Sequence, residues 1–357
     1  MTRQVRAAVV DGPGGSPCVT EVDLPAPGPD EVEIAIAAVG ICHTDVAWAA
    51  GDLGAGYDFP VVLGHEVSAV VRDVGSQVSR VRPGDHVVLS LTHHCGHCAF
   101  CEAGTPMLCE QRTRARPRLR RHGDPLVQGY GTGGFAEATV VAENSVVRIP
   151  DTVPLAGAAL LGCAIATGIG AVMNIARVEV GSTCAVIGLG GIGLSAVAGA
   201  RLAGAASISV ADPLAERRAA ATRFGATETF EDAESLLAGR PGRGFDFTFE
   251  ATGRPDAMAQ AVAAARPGGT VTVIGAPRHD AQLTLPALDF VTSQKRLLGC
   301  LTGNVRPDID VERLVRLVEA GRLDLEAFVT RRIPLDRIAD GFGLVERGEG
   351  IRTVVEM

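Results

Sequence analysis

Polar and apolar residues alternate along Glu31-Val32-Glu33-Ile34-Ala35-Ile36, the period of a half-buried strand. Arg6 to Val10, Val67 to Val74, His86 to Leu89 and Phe135 to Val141 read as further strands. Pro13 to Pro17 and Arg82-Pro83-Gly84-Asp85 supply turns between them. Gly40-Ile41-Cys42-His43-Thr44-Asp45 opens a short helix, with Thr44 and Asp45 able to cap its N-terminus. Short strands joined by Gly/Pro turns predict a small barrel-like domain, left through small-residue helices between Leu155 and Ala176.

The pattern changes near residue 182. Thr183 to Ile187 is a buried strand, followed by Gly188-Leu189-Gly190-Gly191-Ile192-Gly193 and an alanine-rich helix to Gly204. Ile208 to Asp212 is the next strand, and a helix through Arg217, Arg218 and Ala220 runs to Phe224. Phe245 to Glu250 and Gly269 to Gly275 are two more strands. Strands alternating with helices predict βαβ units and a parallel sheet. The tail is helical from Asp310 and ends in a strand at Arg352 to Glu356.

At 357 residues the chain is too long for one ordinary core, so two domains are expected. A net charge of -8 argues against nucleic-acid or anionic-membrane binding. No apolar run is long enough to cross a bilayer, and Met1-Thr2-Arg3-Gln4 does not begin a signal peptide, so a cytoplasmic location is expected. Nine cysteines in such a compartment point to metal or catalysis before disulfides.

Gly188-x-Gly190-x-x-Gly193 alone is a weak signal. Here it follows a strand and opens a helix, and Asp212 ends the next strand 19 residues after Gly193. That is the context of a dinucleotide site, in which backbone N–H groups and a helix N-terminus meet a pyrophosphate. Asp212 would accept the ribose hydroxyls and repel a 2′-phosphate, which favours NAD over NADP. The competing reading is a glycine turn with no ligand. Cys95-x2-Cys98-x2-Cys101-x7-Cys109 offers four thiolates on one loop, suited to a closed structural zinc site. An iron–sulfur cluster is the competing reading, disfavoured by the long final spacing, the lack of a proline after Cys109 and the lack of a second motif. Cys42, His65 and Cys163 are each, taken singly, more often buried structural residues than ligands.

Together the segments Gly40 to Asp45, Gly64-His65-Glu66, the four-cysteine loop, Leu161-Gly162-Cys163, Gly188 to Gly193 and Ile351-Arg352-Thr353 carry a resemblance. The chain resembles the zinc-dependent medium-chain alcohol dehydrogenases over essentially its full length, nearest the liver-type and glutathione-dependent formaldehyde dehydrogenase group. The resemblance implies an α/β protein with a GroES-like β-barrel catalytic domain, residues 1–164 and 302–357, and a Rossmann doubly wound parallel-sheet NAD-binding domain, residues 165–301. The active site would lie between them. It implies two zinc ions per chain. Cys42, His65 and Cys163 would bind the catalytic one, and Cys95, Cys98, Cys101 and Cys109 the structural one. Thr44 falls at the family's proton-relay hydroxyl, and Asp45 and Glu66 at carboxylates that orient the metal site. His43 and Arg352 fall at pyrophosphate contacts. Thr167 and Ile192 pack on the nicotinamide, Arg217 lies near the adenosine ribose, and Gly191 and Ile274 join the cofactor contacts. Trp48, Leu91, Tyr130, Ala276 and Leu301 would line the substrate pocket with Thr44.

The implied activity is reversible hydride transfer between an alcohol and NAD, giving an aldehyde or ketone. Zinc would serve as Lewis acid, and Thr44 would take the hydroxyl proton. One departure matters: many liver-type members carry a relay histidine five residues after the first zinc cysteine, where this chain has Ala47. The proton would then leave through water or a base such as His43. Two other readings stand beside this one: a thiol-adduct formaldehyde dehydrogenase, and a non-catalytic zinc- and nucleotide-binding protein. The six arginines from Arg112 to Arg121 read as a solvated face, or as a contact for an anionic substrate. A homodimer paired through the NAD domains is expected, with a tetramer as the alternative.

Overall fold

The computed structural model describes residues 2–91, 93–111 and 117–357, which form two compact units: Met1–Cys163 with Arg306–Met357, and Ala164–Val305. In the first unit, β1 (Thr2–Val10), β2 (Cys18–Pro25), β3 (Glu31–Gly40), β4 (Val61–Val62), β5 (Glu66–Val74) and β6 (His86–Leu89) carry most of the pairing. Short strands β7 (Arg120–Arg121), β8 (Asp124–Pro125) and β9 (Val127–Gln128) follow, then β10 (Ala138–Ala142) and β11 (Val146–Arg148). One sheet runs β8-β7-β2-β1-β4-β9. The other runs β11-β6-β5-β3, continues through the C-terminal strands Arg352–Glu356 and Val329–Pro334, and pairs β10 with β3. Together they make the nearly closed GroES-like barrel. Its core is aliphatic, with Val9, Ile34, Val39, Leu63, Val67 and Leu89 all buried.

The C-terminal segment belongs to this core. Strand Arg352–Glu356 pairs antiparallel with β3, Val354 opposite Gly40. Phe342, on helix Ile338–Glu346, meets Phe135 edge-on with ring centroids 5.8 Å apart. The sequence reading overlooks β2, β4, β7, β8, β9, β11, the strand Val329–Pro334, and two of the second unit's strands. Most are two to six residues long, too short for period-2 patterning to stand out, whereas Glu21-Val22-Asp23-Leu24 in β2 does alternate.

The second unit is a Rossmann sheet of six parallel strands: β12 (Thr183–Ile187), β13 (Ser207–Ala211), β14 (Glu228–Phe230), β15 (Phe245–Glu250), β16 (Ala265–Val273) and β17 (Arg296–Gly299). Their order is β14-β13-β12-β15-β16-β17. Near-continuous apolar strands such as Cys184-Ala185-Val186-Ile187 are what a sheet covered on both faces requires. Small apolar cores flank the sheet, one around Val271, Ala261 and Val262, another around Leu236 and Phe245. No single helix among the described residues is long and apolar enough to cross a membrane.

Phe135 is 1% exposed and joins the barrel to the C-terminal helix. Phe135→Ala is expected to cost about 3–5 kcal/mol of unfolding free energy in chemical denaturation. A loss under 1 kcal/mol would show that this contact does not tie the C-terminal segment into the core.

Candidate metal centre and dinucleotide loop

Three chain segments converge in the first unit. Cys42 stands where β3 passes into helix His43–Ala50, as the helix N-cap. His65 immediately precedes β5, and Cys163 follows the turn Ala159–Gly162. The approach demands glycines. Gly64 has φ +90°, and a Cβ there would sit 2.7 Å from the Phe135 backbone nitrogen. A Cβ on Gly162 would lie 2.2 Å from the Leu89 carbonyl oxygen. The result is a buried group in which one donor atom from each of Cys42, His65, Glu66 and Cys163 lies within 4.8 Å of the others.

Asp45 organises this group. The sequence reading makes Thr44 and Asp45 candidate N-caps; the cap is Cys42, and Asp45 reaches back from the first turn, its Oδ2 accepting the Cys42 N–H at 3.0 Å. Its Oδ1 accepts the Gly64 N–H at 3.1 Å and pairs with His65 Nδ1 at 3.0 Å. With Nδ1 held by a carboxylate, Nε2 is the imidazole atom left for a metal. Burial would lower the His65 pKa, but the charge and hydrogen bond of Asp45 more than offset it and hold it well above its usual value.

The remaining electrostatics follow from crowding these donors in a buried space. The closeness of Cys42 and Cys163 holds the Cys42 thiol well below its usual range and pushes the buried Cys163 thiol well above it. Burial pushes the Glu66 carboxyl up to about 7 although Arg352 lies beside it. Arg352 Nη2 is 3.2 Å from Glu66 Oε1 but not in hydrogen-bonding geometry, and neither Glu66 oxygen has a hydrogen-bond partner among the described residues. Arg352 Nη2 also donates to the Cys42 sulfur at 3.8 Å. Two thiols, an imidazole presenting Nε2 and a carboxylate whose oxygens accept no hydrogen bond among the described residues suit a zinc ion. Glu66 thus reaches the donor group itself, which its place beside His65 in sequence did not reveal.

The four-cysteine loop is a second such group. The Cys98 sulfur is 3.5 Å from that of Cys101 and 3.9 Å from that of Cys109, and Cys95 and Cys101 are 4.0 Å apart. Four thiolates bound tetrahedrally at the usual zinc–sulfur length would be about 3.8 Å apart. The N–H groups of Cys95 and Gln111 point at the Cys109 sulfur, at 3.2 and 3.4 Å. Backbone N–H groups of Cys101 and Glu110 hold the Cys98 thiol down to about 6, and burial pushes Cys101 up to about 12.

In the second unit, Gly188 has φ +90°, and a Cβ on Gly193 would lie 1.8 Å from the Gly188 carbonyl oxygen. A Cβ on Gly190 would meet open space, so no side chain stands between that backbone and an incoming group. Asp212 is 4% exposed and already braces the loop: Oδ2 accepts the Leu189 N–H at 2.8 Å and Oδ1 the Leu214 N–H at 2.9 Å. Arg217 Nη1 lies 3.8 Å from Asp212 Oδ2. Sequence reasoning missed Glu250, a buried carboxylate that accepts the Gly253 N–H at 2.9 Å beside Gly188. Its signal in the sequence is an acid closing the strand Phe245–Glu250, where phenylalanine alternates with polar residues.

Of the other expected site residues, Thr44 Oγ1 lies 3.5 Å from the Cys42 sulfur, and Trp48 and Tyr130 pack together near His65. Leu91 is half-buried in the first unit, and His43 is exposed. Thr167, Gly191 and Ile274 are buried in the second unit and Ile192 is half-buried there, while Ala276 and Leu301 are exposed. Arg114 and its neighbours at 112–116 lie outside the described residues. Arg118 pairs with Glu31, Arg121 pairs with Asp11, and Arg120 donates to the Gly123 carbonyl.

Comparison with known proteins accords with this geometry. A family profile described as "Alcohol dehydrogenase GroES-like domain" matches residues 28–151, and one described as "Zinc-binding dehydrogenase" matches residues 191–320. S-(hydroxymethyl)glutathione dehydrogenase of Photobacterium damsela subsp. piscicida is 37% identical over 366 residues, covering 98% of this chain and 99% of the relative. The chain belongs to the zinc-containing medium-chain alcohol dehydrogenase family. Benzyl alcohol dehydrogenase of Acinetobacter calcoaceticus superposes with a TM-score of 0.93 at 28% identity, covering 99% of each chain. A zinc-binding dehydrogenase of Sinorhizobium meliloti 1021, solved with NADP bound, superposes with a TM-score of 0.84 at 28% identity, covering 99% of this chain and 100% of that one. This alcohol dehydrogenase-family oxidoreductase therefore carries two zinc-site-like groups and a nicotinamide-cofactor fold.

Asp45→Asn would turn one of the three donors it receives towards an amide NH2. A loss of about 1–3 kcal/mol in unfolding free energy is expected by chemical denaturation. Unchanged stability would mean that the three hydrogen bonds do not hold the site together.

Proposed function

We propose that the chain is an NAD-dependent zinc alcohol dehydrogenase that interconverts an alcohol and its aldehyde or ketone. The observation that carries this reading is the buried Cys42, His65, Glu66 and Cys163 donor group. Cys42, His65 through Nε2, and Cys163 are the proposed ligands of the catalytic zinc, and Cys95, Cys98, Cys101 and Cys109 those of the structural one. Zinc held by the first set supplies a Lewis acid that lowers the pKa of a hydroxyl. Thr44 Oγ1, beside the Cys42 sulfur, accepts the substrate proton while passing its own to water or to a base such as His43. Asp45 keeps His65 in one tautomer, and Arg352 offsets the negative charge gathered on Cys42 and Glu66. The N–H groups of the Gly188–Gly193 loop receive the pyrophosphate, joined by His43 and Arg352. Thr167, Ile192 and Ile274 flank the nicotinamide. NAD is favoured because the Asp212 carboxylate closes β13, where a 2′-phosphate would meet its charge. Arg217 beside it is the feature an NADP enzyme would use.

A second reading is oxidation of an S-hydroxymethyl thiol adduct, favoured by the full-length relationship to a dehydrogenase of that name. The test is reduction of NAD and of NADP with primary, secondary and aromatic alcohols, with and without glutathione, alongside metal analysis. We expect two zinc atoms per chain and NADH from an alcohol without thiol. Cys163→Ser should retain the structural zinc and lose turnover. Two zinc atoms with no NADH from any alcohol would overturn the reading, and strict thiol dependence would favour the second.

The proposed assembly is a homodimer in the cytoplasm. All nine cysteines are free thiols, as a reducing compartment favours. Among the described residues, strand β17 ends its sheet with an unpaired edge, and the adjoining helix Ala287–Ser293 exposes Leu288 at 77% and Val291 at 70%. An open edge with apolar cover suits pairing with a second copy. Light scattering should give twice the 36.9 kDa chain mass. Leu288→Glu with Val291→Glu should shift it towards one chain. A monomeric wild type, or a double variant that stays dimeric, would remove this edge as the interface.

A further inference from the structure

The barrel core is aliphatic, yet three polar side chains are buried in it: Gln128 at 7% exposure, and Thr132 and Thr139 at 0%. Gln128 ends β9, Thr139 lies on β10, and Thr132 sits in the bend between them. Leucine or valine would fill the same space with no hydrogen bonds to satisfy. A buried polar network costs stability unless its partners are complete, and a complete one fixes a single arrangement. What this network fixes lies at the end of its hydrogen bonds.

Gln128 Oε1 accepts the N–H groups of Arg118 and Leu119. Its Nε2 donates to the Thr139 hydroxyl at 2.9 Å and lies 3.3 Å from the Thr132 and Val140 carbonyls. The Thr139 hydroxyl in turn donates to the Thr132 carbonyl at 3.1 Å. Two side chains therefore hold the Thr132 backbone. The Thr132 hydroxyl lies 2.7 Å from the Gly64 carbonyl and 2.8 Å from that of Gly129, and its single proton goes to one of them at a time. The Gly64 carbonyl belongs to the planar peptide unit that joins Gly64 to His65. It also accepts the Gly134 N–H at 2.8 Å, while the Gly64 N–H is held by Asp45 at 3.1 Å. Gly64, at φ +90°, has no side chain to restrict that peptide, so these partners set its tilt. Asp45 fixes the His65 ring; the Thr132 hydroxyl meets the backbone that carries the ring.

We propose that Thr132 is a positioning residue for the metal site: its hydroxyl holds the Gly64–His65 peptide and so keeps the imidazole at its place in the donor group, and Gln128 with Thr139 holds Thr132. The inference rests on reading Cys42, His65 and Cys163 as zinc ligands, and adds a support for His65 beyond that of Asp45. Thr132→Val keeps the side-chain shape and removes the hydroxyl, whereas Thr132→Ser keeps the hydroxyl. Loss of a partner that orients a metal ligand typically costs about tenfold or more in metal affinity.

The test follows zinc release from the zinc-loaded enzyme to the chelator pyridylazoresorcinol over a concentration series, with Cys163→Ser marking release of the structural ion alone. Thr132→Val should give up the ion of the donor group at about tenfold lower chelator than the wild type, with the structural ion unaffected. Thr132→Ser should restore wild-type retention. Cobalt(II) exchanged into the donor group should show displaced visible bands in Thr132→Val and wild-type bands in Thr132→Ser. Gln128→Met should weaken retention by a smaller factor. Ser145→Ala removes another buried barrel hydroxyl, one bonded to the Ala142 carbonyl at 2.7 Å, and should leave both readouts unchanged. Wild-type retention and bands in Thr132→Val, or an equal loss in Ser145→Ala, would overturn the proposal and leave the network as core structure. If Thr132→Val weakens retention while the wild type oxidises no alcohol, the dehydrogenase reading fails and the positioning role stands. Turnover with retention untouched by Thr132→Val is the reverse result.

Discussion

One carboxylate holds the candidate metal centre in shape. Asp45, fully buried, accepts N–H groups from Cys42 and Gly64 and pairs with the imidazole of His65. These belong to a strand–helix junction and to the start of another strand, some twenty residues apart. Each hydrogen bond to the buried charge compensates part of its desolvation, and each also fixes the direction of a neighbouring donor group. Remove the carboxylate and the imidazole loses its tautomer, while the helix loses its first-turn cap. Position and protonation state are set by the same atoms.

The barrel around it makes the approach of three segments possible. Gly64 and Gly162 pass so close to Phe135 and Leu89 that a methyl group at either would collide with backbone. The dinucleotide loop obeys the same constraint, since Gly193 has no room for a Cβ against the carbonyl of Gly188. Asp212 does double duty there. Its carboxylate braces the loop through Leu189 and Leu214 while ending the strand that would face a ribose. Glu250 props the neighbouring turn through Gly253. Buried carboxylates accepting backbone N–H groups are the recurring device of both units, suited to loops that must hold still without side chains of their own.

Local signals made part of this legible. The glycine loop follows its strand and opens its helix as its spacing predicts, and four cysteines close together on one loop needed no long-range information to suggest a metal. Alternation in Glu31 to Ile36 was enough to place a strand, although the fold buries Glu31 and Glu33 along with the apolar positions. Other features had no local signature. Strand β17 is four residues of mixed polarity, recognisable as a strand only by its pairing with β16. The segment Leu155–Ala176, uniformly small and apolar, reads as helix but is broken at Cys163, where φ −143° and ψ −82° leave the helical region.

Residue types and their short-range spacing determined the fold class, the presence of a dinucleotide loop and a four-thiolate loop, because backbone sterics and ligand number act within a few residues. Tertiary structure alone decided that Glu66 joins the donor group, that Arg352 lies against Glu66 and the Cys42 sulfur, and that Asp45 serves three donors at once. It also decided that the Thr132 hydroxyl meets the Gly64 carbonyl beside His65. Such contacts depend on side-chain direction and burial between distant segments, and no window along the chain contains that information.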